Sequence, residues 1–324
     1  MSSVTTSENE AAKTQVSPAK EKYRVTNWPE YEKALVQRGN ITVWMDKDHL
    51  NACWLEKTKT GKKGASKTYS DDAIQLLLML KNLFKLPYRS VEGFARSLMH
   101  LMGLELRVPD HTQMSRRAAT LAVKIPRRER TEPLHIVADS TGLKVYGEGE
   151  WKVRMHGVSK RRSWVKVHLA IDANAKDVVG LEVTTEEWGD CEVFDDLIEQ
   201  VEGNIEQIDV DGAYDTKEAY QTAAKREAKL VVPPREGAVY WEEGHPRNAA
   251  LDKIADKGRK VWKQESGYHR RSLAENAMYR MKQLFEDKLS SRQFDTQVTE
   301  VHVRVALLNM MTYLGMPNSV KVAV

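Results

Sequence analysis

Cysteine is nearly absent: among 324 residues only Cys53 and Cys191 occur, far apart and in no C-x-x-C arrangement. That excludes a disulfide framework and a zinc ribbon, and fits a reducing cytosol. Long apolar runs are missing too. The longest, around Ile74 to Leu80, is far too short to cross a bilayer. Residues 1–20 are polar and have no apolar core of the kind a signal peptide carries, so residues 1–24 read as a disordered polar leader. No repeat recurs at a fixed period, and the nine histidines show no ligand spacing. These absences predict a cytoplasmic protein without a membrane segment.

A strong net charge is also lacking. At +4 the chain is no polycation, but its positive charge is clustered. Lys57, Lys59, Lys62, Lys63 and Lys67 follow one another. Arg116, Arg117, Lys124, Arg127, Arg128 and Arg130 form a second group, and Lys160, Arg161 and Arg162 a third. Such clusters make local positive fields that attract polyanions, DNA above all; the plainer alternative is a solubilising surface.

From Trp28 to about Arg130 the pattern is mainly helical. Ser70 followed by Asp71 and Asp72 predicts a capped helix running to Leu86 before Pro87. Ser90 can cap a second helix toward Met102, closed by Gly103. Asp110 or Thr112 can cap a third that carries Arg116 and Arg117 outward. Short helices joined by tight turns resemble a helix-turn-helix-like DNA-binding unit, so residues 25–130 form a candidate helical DNA-binding domain. The pattern changes near Pro133. LHIVA (Leu134–Ala138) predicts a strand ending at Asp139, Trp164–Ile171 alternates with a period of two, and so does Val178–Thr184. A helix over Glu192–Val201, a strand over Ile205–Val210, a helix capped by Asp215 or Thr216, and a strand over Lys229–Val232 follow. The order β-β-β-α-β-α-β-α requires a mixed sheet with helices on both faces. The expected catalytic domain is 131–290, with an irregular insertion at about 235–267. Residues 291–324 are expected to add an amphipathic helix (Val298, Val301, Val305, Leu308) packed on that core.

Three carboxylates stand in informative places. Asp139 ends the first strand, Asp211 the fourth, and Glu275 lies on a helix predicted over Tyr268–Lys282 (YHRRSLAENAMYRMK). Three- and four-residue spacing puts Arg271, Glu275 and Lys282 on one side of that helix, with Tyr268 just ahead of it. If the first and fourth strands are neighbours, both aspartates reach one edge. Two like charges about 4 Å apart repel by roughly 4 kcal/mol at an effective dielectric near 20, so something positive belongs there. Oxygen-only ligation with open positions selects Mg²⁺ or Mn²⁺ over zinc. Asp209 is a rival for the second ligand. Asp215 reads as a helix cap, Asp172 and Asp190 as turn and cap residues. Lys166 and His168 share one face of the second strand. Trp241 and Trp262 are either packing residues or wedges for distorted DNA.

These elements and positions resemble the RNase H-like core of DDE transposases, and more closely the insertion-sequence-five family, in its insertion-sequence-903-like branch. That family carries Y-x(2)-R-x(3)-E-x(6)-K, matched by Tyr268, Arg271, Glu275 and Lys282. Its acidic motifs are matched by Asp139-Ser140-Thr141-Gly142 and by Asp211-Gly212-Ala213-Tyr214-Asp215, and the likeness spans nearly all of residues 25–317. The resemblance implies a transposase that binds the inverted repeats of its own element, frees 3′-OH ends and joins them to target DNA. It implies two Mg²⁺ ions, Mn²⁺ substituting, held by Asp139, Asp211 and Glu275. DNA contacts are expected at Tyr268, Arg271, Lys282, Arg116, Arg117, Lys62, Lys63, Arg161 and Arg162. It also implies a homodimer or higher oligomer on paired DNA ends, in a bacterial, nucleoid-associated setting. A non-catalytic DNA-binding descendant, and a nuclease that cuts without joining, are the competing readings.

Overall fold

Local sequence signals set most element starts in the computed structural model, which describes residues 22–57, 68–145 and 164–322. Lys62, Lys63, Arg161 and Arg162 lie outside the described residues. The first part is helical: α1 Trp28–Arg38, α2 Ile41–Trp44, α3 Lys47–Cys53, α4 Asp71–Leu83, α5 Tyr88–Leu101 and α6 His111–Ala118. Ser70 caps α4 by accepting from the Ala73 amide at 3.0 Å. Asp110 caps α6 by accepting from the amides of Thr112 and Gln113 at 2.8 Å. Two boundaries differ from expectation. The α4 helix stops at Leu83 because Lys85 adopts a left-handed φ of 52°, and the Leu86 amide turns back to the Lys81 carbonyl at 3.0 Å. Helix α5 starts at Tyr88 after Pro87, so Ser90 sits inside it and caps nothing. Proline has no amide to leave unsatisfied and its fixed φ suits a helix start.

The second part is a five-stranded sheet of β2 Leu134–Lys144, β3 Trp164–Asp172, β4 Val178–Thr185, β5 Ile205–Asp209 and β6 Lys229–Val231, in the order β4-β3-β2-β5-β6. The first three strands are antiparallel neighbours; β5 joins β2 in parallel and β6 joins β5 in parallel. This is the mixed sheet that the element order predicts, and it agrees with the RNase H-like core that the resemblance implies. Period-two alternation feeds two cores. Ile136, Ala138, Ala170 and Ile208 pack with α7 (Phe194–Glu199) and α8 (Lys217–Lys225). Val137, Leu143, Val167 and Leu169 face the other way, toward α11 (Ser272–Phe285) and α12 (Phe294–Leu314).

Three features depart from the sequence reading. Residues 235–267 are largely helical rather than irregular, forming α9 (Pro246–Lys257) and α10 (Arg259–Glu265). Pro246 opens α9, His245 accepts from the Arg247 amide at 3.2 Å, and Gly258 at φ 82° separates the two helices. The C-terminal helix α12 is not amphipathic: Val301, Val303, Val305, Leu307 and Leu308 are all buried, because α4, α1, α11 and β4 surround it. It belongs to one apolar cluster that runs from Trp44 through Leu77 and Met114 to the sheet. Finally β1 (Lys22–Val25) pairs antiparallel with β7 (Ser319–Val322). Among the described residues, no helix is long and apolar enough to cross a membrane.

Gly180 on β4 shows how tightly the sheet and α7 meet. A Cβ there would stand 2.6 Å from the Leu197 carbonyl oxygen and 3.1 Å from Ala170 Cβ. Gly180→Ala is expected to push α7 outward and cost about 1–3 kcal/mol. A urea titration should show a lower midpoint with an unchanged slope.

Candidate active site

Strand pairing determines where Asp139 sits. The parallel ladder of β2 with β5 ends at Val137 opposite Asp209, while the antiparallel ladder with β3 continues from Asp139 opposite Leu169 to Lys144 opposite Trp164. Asp139 is therefore mid-strand and not at the strand end, as expected from LHIVA, yet it lies where β5 has already departed. Ser140, Thr141 and Gly142 stay extended because β3 pairs them. Asp211 follows β5 by two residues and caps the 3-10 turn Gly212–Tyr214, its Oδ1 accepting from the Ala213 amide at 2.8 Å. Gly212 suits this place, since a Cβ would come within 3.3 Å of the Pro233 carbonyl.

The third element arrives on a bend. Gly267 takes φ 74°, and Tyr268–Arg271 form a 3-10 turn before α11, so Tyr268 and Arg271 precede the α-helix proper. Arg271 then joins the carboxylates. Its Nη1 donates to Asp139 Oδ2 at 2.7 Å and its Nη2 donates to Glu275 Oε1. Two helical turns beyond Glu275, Lys282 Nζ donates to Thr141 Oγ1 at 2.7 Å. Tyr268 is buried against Trp262, ring centroids 5.9 Å apart, and burial pushes its hydroxyl up to about 12.

The electrostatics tie the three acids together. Burial raises the Asp139 carboxyl above the ordinary aspartate range; the Ser140 amide and Arg271 oppose the rise, and Asp211 and Glu275 reinforce it. Burial works against the charge of Arg271, but Asp139, Tyr268 and Glu275 hold its guanidinium firmly protonated. Among the described residues no three metal-binding side chains converge as closely as a bound ion needs. Asp139 and Glu275 instead meet on the Arg271 guanidinium, which supplies the positive charge. An anionic set with oxygen donors alone fits a hard divalent cation.

Other candidates are accounted for. Asp209, the rival ligand, is fully buried, with Oδ2 on His135 Nε2 at 2.8 Å and Oδ1 accepting from Gln207 at 2.7 Å. Asp215 does not cap α8; Thr216 does, and Asp215 forms a buried pair with Arg247. Asp172 pairs with Arg130 as well as shaping the β3–β4 turn. His168 lies opposite Ser140 in the ladder, so it and Lys166 point away from the Asp139 face. Lys166 pairs with Asp190 at 2.8 Å, which makes Asp190 an ion-pair partner, not a cap. Burial lowers His168 to about 4, keeping it neutral. Trp241 lies under the Arg247 guanidinium at 4.2 Å and Trp262 is buried, so both are packing residues. Arg116 is exposed, whereas Arg117 turns inward to Asp71 and to the Tyr69 carbonyl at 2.9 Å. The sequence reading missed Thr141 as the seat of Lys282; its only signal was parity, two residues after Asp139 on one strand.

A β4-β3-β2-β5-β6 mixed sheet with acids beside the β2–β5 edge and on α11 is the RNase H-like fold. A family described as "Transposase DDE domain" matches residues 130–310, more than half of the chain, and a second of the same description matches residues 36–148. The chain belongs to the DDE transposase family and is an enzyme of DNA cleavage and transfer. Among solved structures, a piggyBac transposase synaptic complex with hairpin DNA aligns over 90% of this chain and 77% of its own, at 12% identity and a TM-score of 0.43. A Mos1 transposase paired-end complex with the left transposon end aligns over 68% and 80%, at 9% identity and a TM-score of 0.22.

Proposed function

We propose that this chain is the transposase of an insertion sequence of the insertion-sequence-five family, in the insertion-sequence-903-like branch. It binds the terminal inverted repeats of its own element, cleaves there to free 3′-OH ends, and joins those ends to target DNA. The observation that carries this reading is the docking of one segment on another. Arg271 clasps both Asp139 and Glu275, and Lys282 rests on Thr141, so the Y-x(2)-R-x(3)-E-x(6)-K segment seats directly on the first acidic motif.

Asp139, Asp211 and Glu275 would hold two Mg²⁺ ions, or Mn²⁺ in their place, and such a pair supplies an activated hydroxyl and a stabilised leaving oxygen for in-line displacement. The chain's own residues do the rest. Arg271 and Lys282 hold the DNA backbone beside the scissile phosphate, and their fixed placement supplies orientation. Tyr268, whose hydroxyl is protonated at neutral pH, can donate a hydrogen bond to a phosphate or base. Residues 25–130 serve as the DNA-binding part, with exposed Arg116 on α6, and residues 131–290 as the catalytic part. Lys62, Lys63, Arg161 and Arg162 would add phosphate contacts, and Arg117 would have to leave Asp71 to do so. Two DNA ends held together call for a homodimer or a larger assembly, in a bacterial cytoplasm.

The test uses purified protein and a labelled duplex taken from the DNA flanking its own gene, with Mg²⁺ or Mn²⁺. Metal-dependent cleavage leaving a 3′-OH at the element end is the expected result. Binding without cleavage, even with paired ends and a supercoiled donor, would replace this reading with that of a DNA-binding regulator.

A further inference from the structure

Beneath the carboxylates lies a second polar group that the chemistry above does not use. His135, Gln207 and Asp209 share the sheet face that carries Asp139, since His135 pairs with Gln207 and Val137 with Asp209 across the β2–β5 ladder. Arg270, next to Arg271, reaches this face. Its Nη1 lies 2.9 Å from His135 Nδ1, and its Nη2 donates to Asn174 Oδ1 at 2.5 Å. Gln207 Nε2 donates to Asp209 Oδ1 at 2.7 Å and to the Ser266 carbonyl at 3.1 Å.

Donor counting fixes the direction of the chain. Arginine has no acceptor, so His135 Nδ1 must accept, and the ring proton sits on Nε2, which donates to Asp209 Oδ2. Asp209, 0 % exposed, thus has both oxygens engaged, and each partner is engaged on its far side as well. The group touches every segment that bears a candidate carboxylate. His135 precedes Asp139 by four residues on β2, and Asp209, the last residue of β5, stands two before Asp211. Ser266 precedes, and Arg270 lies within, the Tyr268–Arg271 turn that leads into the Glu275 helix.

We propose that His135, Asp209 and Arg270 form a positioning unit that sets the mutual placement of Asp139, Asp211 and the Tyr268–Glu275 segment. The unit acts through the backbone of the segments it joins and touches no reacting atom. Its metal-related consequence rests on the function proposed above; its structural consequence does not. The network is anchored on buried Asp209, with His135, Gln207 and Arg270 half-buried around it; a fully satisfied polar network of this kind specifies one arrangement, whereas a partly satisfied one permits several.

The test compares full-length wild type with Arg270→Gln, and with Arg270→Lys as the conservative variant. In metal-free protein, Arg270→Gln should speed amide exchange across residues 268–275 at least tenfold and leave residues 301–308 unchanged. Mn²⁺ titration, read by the loss of the free-ion spin-resonance signal, should give a half-saturation point raised at least tenfold. Arg270→Lys, which keeps one donor toward His135, should fall between. Unchanged exchange in 268–275 would overturn the proposal, and so would faster exchange throughout the molecule. If Arg270→Gln fails to fold, His135→Asn takes its place, and failure of both would make the unit a fold determinant and end the proposal. Wild-type Mn²⁺ binding that Asp139→Asn leaves intact would instead sink the metal reading, with the exchange result still deciding the positioning role.

Discussion

Asp139→Asn is expected to reduce strand cleavage by about 10³-fold or more, the scale seen when a preorganised electrostatic group is removed from a transition state. The same substitution should leave the metal-free melting temperature no lower than that of wild type. The reason is the burial of Asp139, whose carboxyl is only 15 % exposed and sits above the ordinary aspartate range despite Arg271. A raised folded-state value means that the folded protein binds its proton more readily than the unfolded chain does. Above that value the charged group therefore opposes folding, and its penalty fades as the pH falls through the folded value toward the ordinary one. Asparagine mimics the protonated state at every pH, while Glu275 still partners Arg271. Melting curves in chelator from pH 4 to 8 test the point, and the advantage of the variant should be greatest at the upper end. A large fall in melting temperature would show that the Asp139–Arg271 pair stabilises the fold, contrary to this account. Cleavage retained within tenfold would remove Asp139 from the chemistry.

Arg247→Ala should produce the largest loss of stability, about 3–5 kcal/mol, because it strands a buried carboxylate. Arg247 meets Asp215 through Nε at 2.6 Å and Nη2 at 2.8 Å, with the two side chains 5 % and 1 % exposed. It also donates to the Val239 carbonyl at 2.6 Å and covers the Trp241 ring. Such a loss is a large part of the roughly 5–15 kcal/mol that holds a typical domain. Pairing it with Asp215→Leu should recover part of the deficit, since the penalty belongs to the unpaired charge. Urea midpoints of the two single variants and the double variant measure this. A double variant as unstable as the sum of the singles would show that packing on Trp241 matters more than the ion pair.

Much of the catalytic half was legible because strands in a covered sheet must alternate. Val178–Thr184 and Trp164–Ile171 were read within one residue of their observed ends for that reason. The strand carrying Asp139 was read too short. Ser140, Thr141 and Gly142 look like a turn, but their places are dictated by neighbours: Thr141 meets Lys282, and a Cβ on Gly142 would stand 3.1 Å from the Trp164 ring. Such tertiary demands leave no mark on local propensity. The helices of 246–265 were invisible for a different reason. They bury little beyond Arg247 and Trp262, so no apolar stripe announces their period. Arg116 and Arg117 were both sent outward, yet neighbours on a helix point about 100° apart, and the second met the acidic start of α4. In α12 one apolar stripe was read where several were present, which turned a surrounded helix into a surface one. Arg271, Glu275 and Lys282 share one side as the spacing predicts, because residues four and seven apart meet along a helix, although Tyr268–Arg271 form a 3-10 turn ahead of it.

The position of α12 bears on how this enzyme can be divided or recombined. Thr299 donates to the Ala118 carbonyl at 2.6 Å on the helical side, and Asn309 bonds the amide and carbonyl of Val178 on the sheet side, both at 2.8 Å. Helix α4 packs along the same helix. A truncation that stops near residue 130 would leave α4 without its cover, and one that starts there would bare the α12 surface that α4 now occupies. Chimeras that exchange the helical part between relatives should therefore carry the facing residues of α12 with it, although these lie some 170 residues downstream. In this chain the natural unit of exchange is a spatial block, and a crossover point chosen by sequence position alone would cut through it.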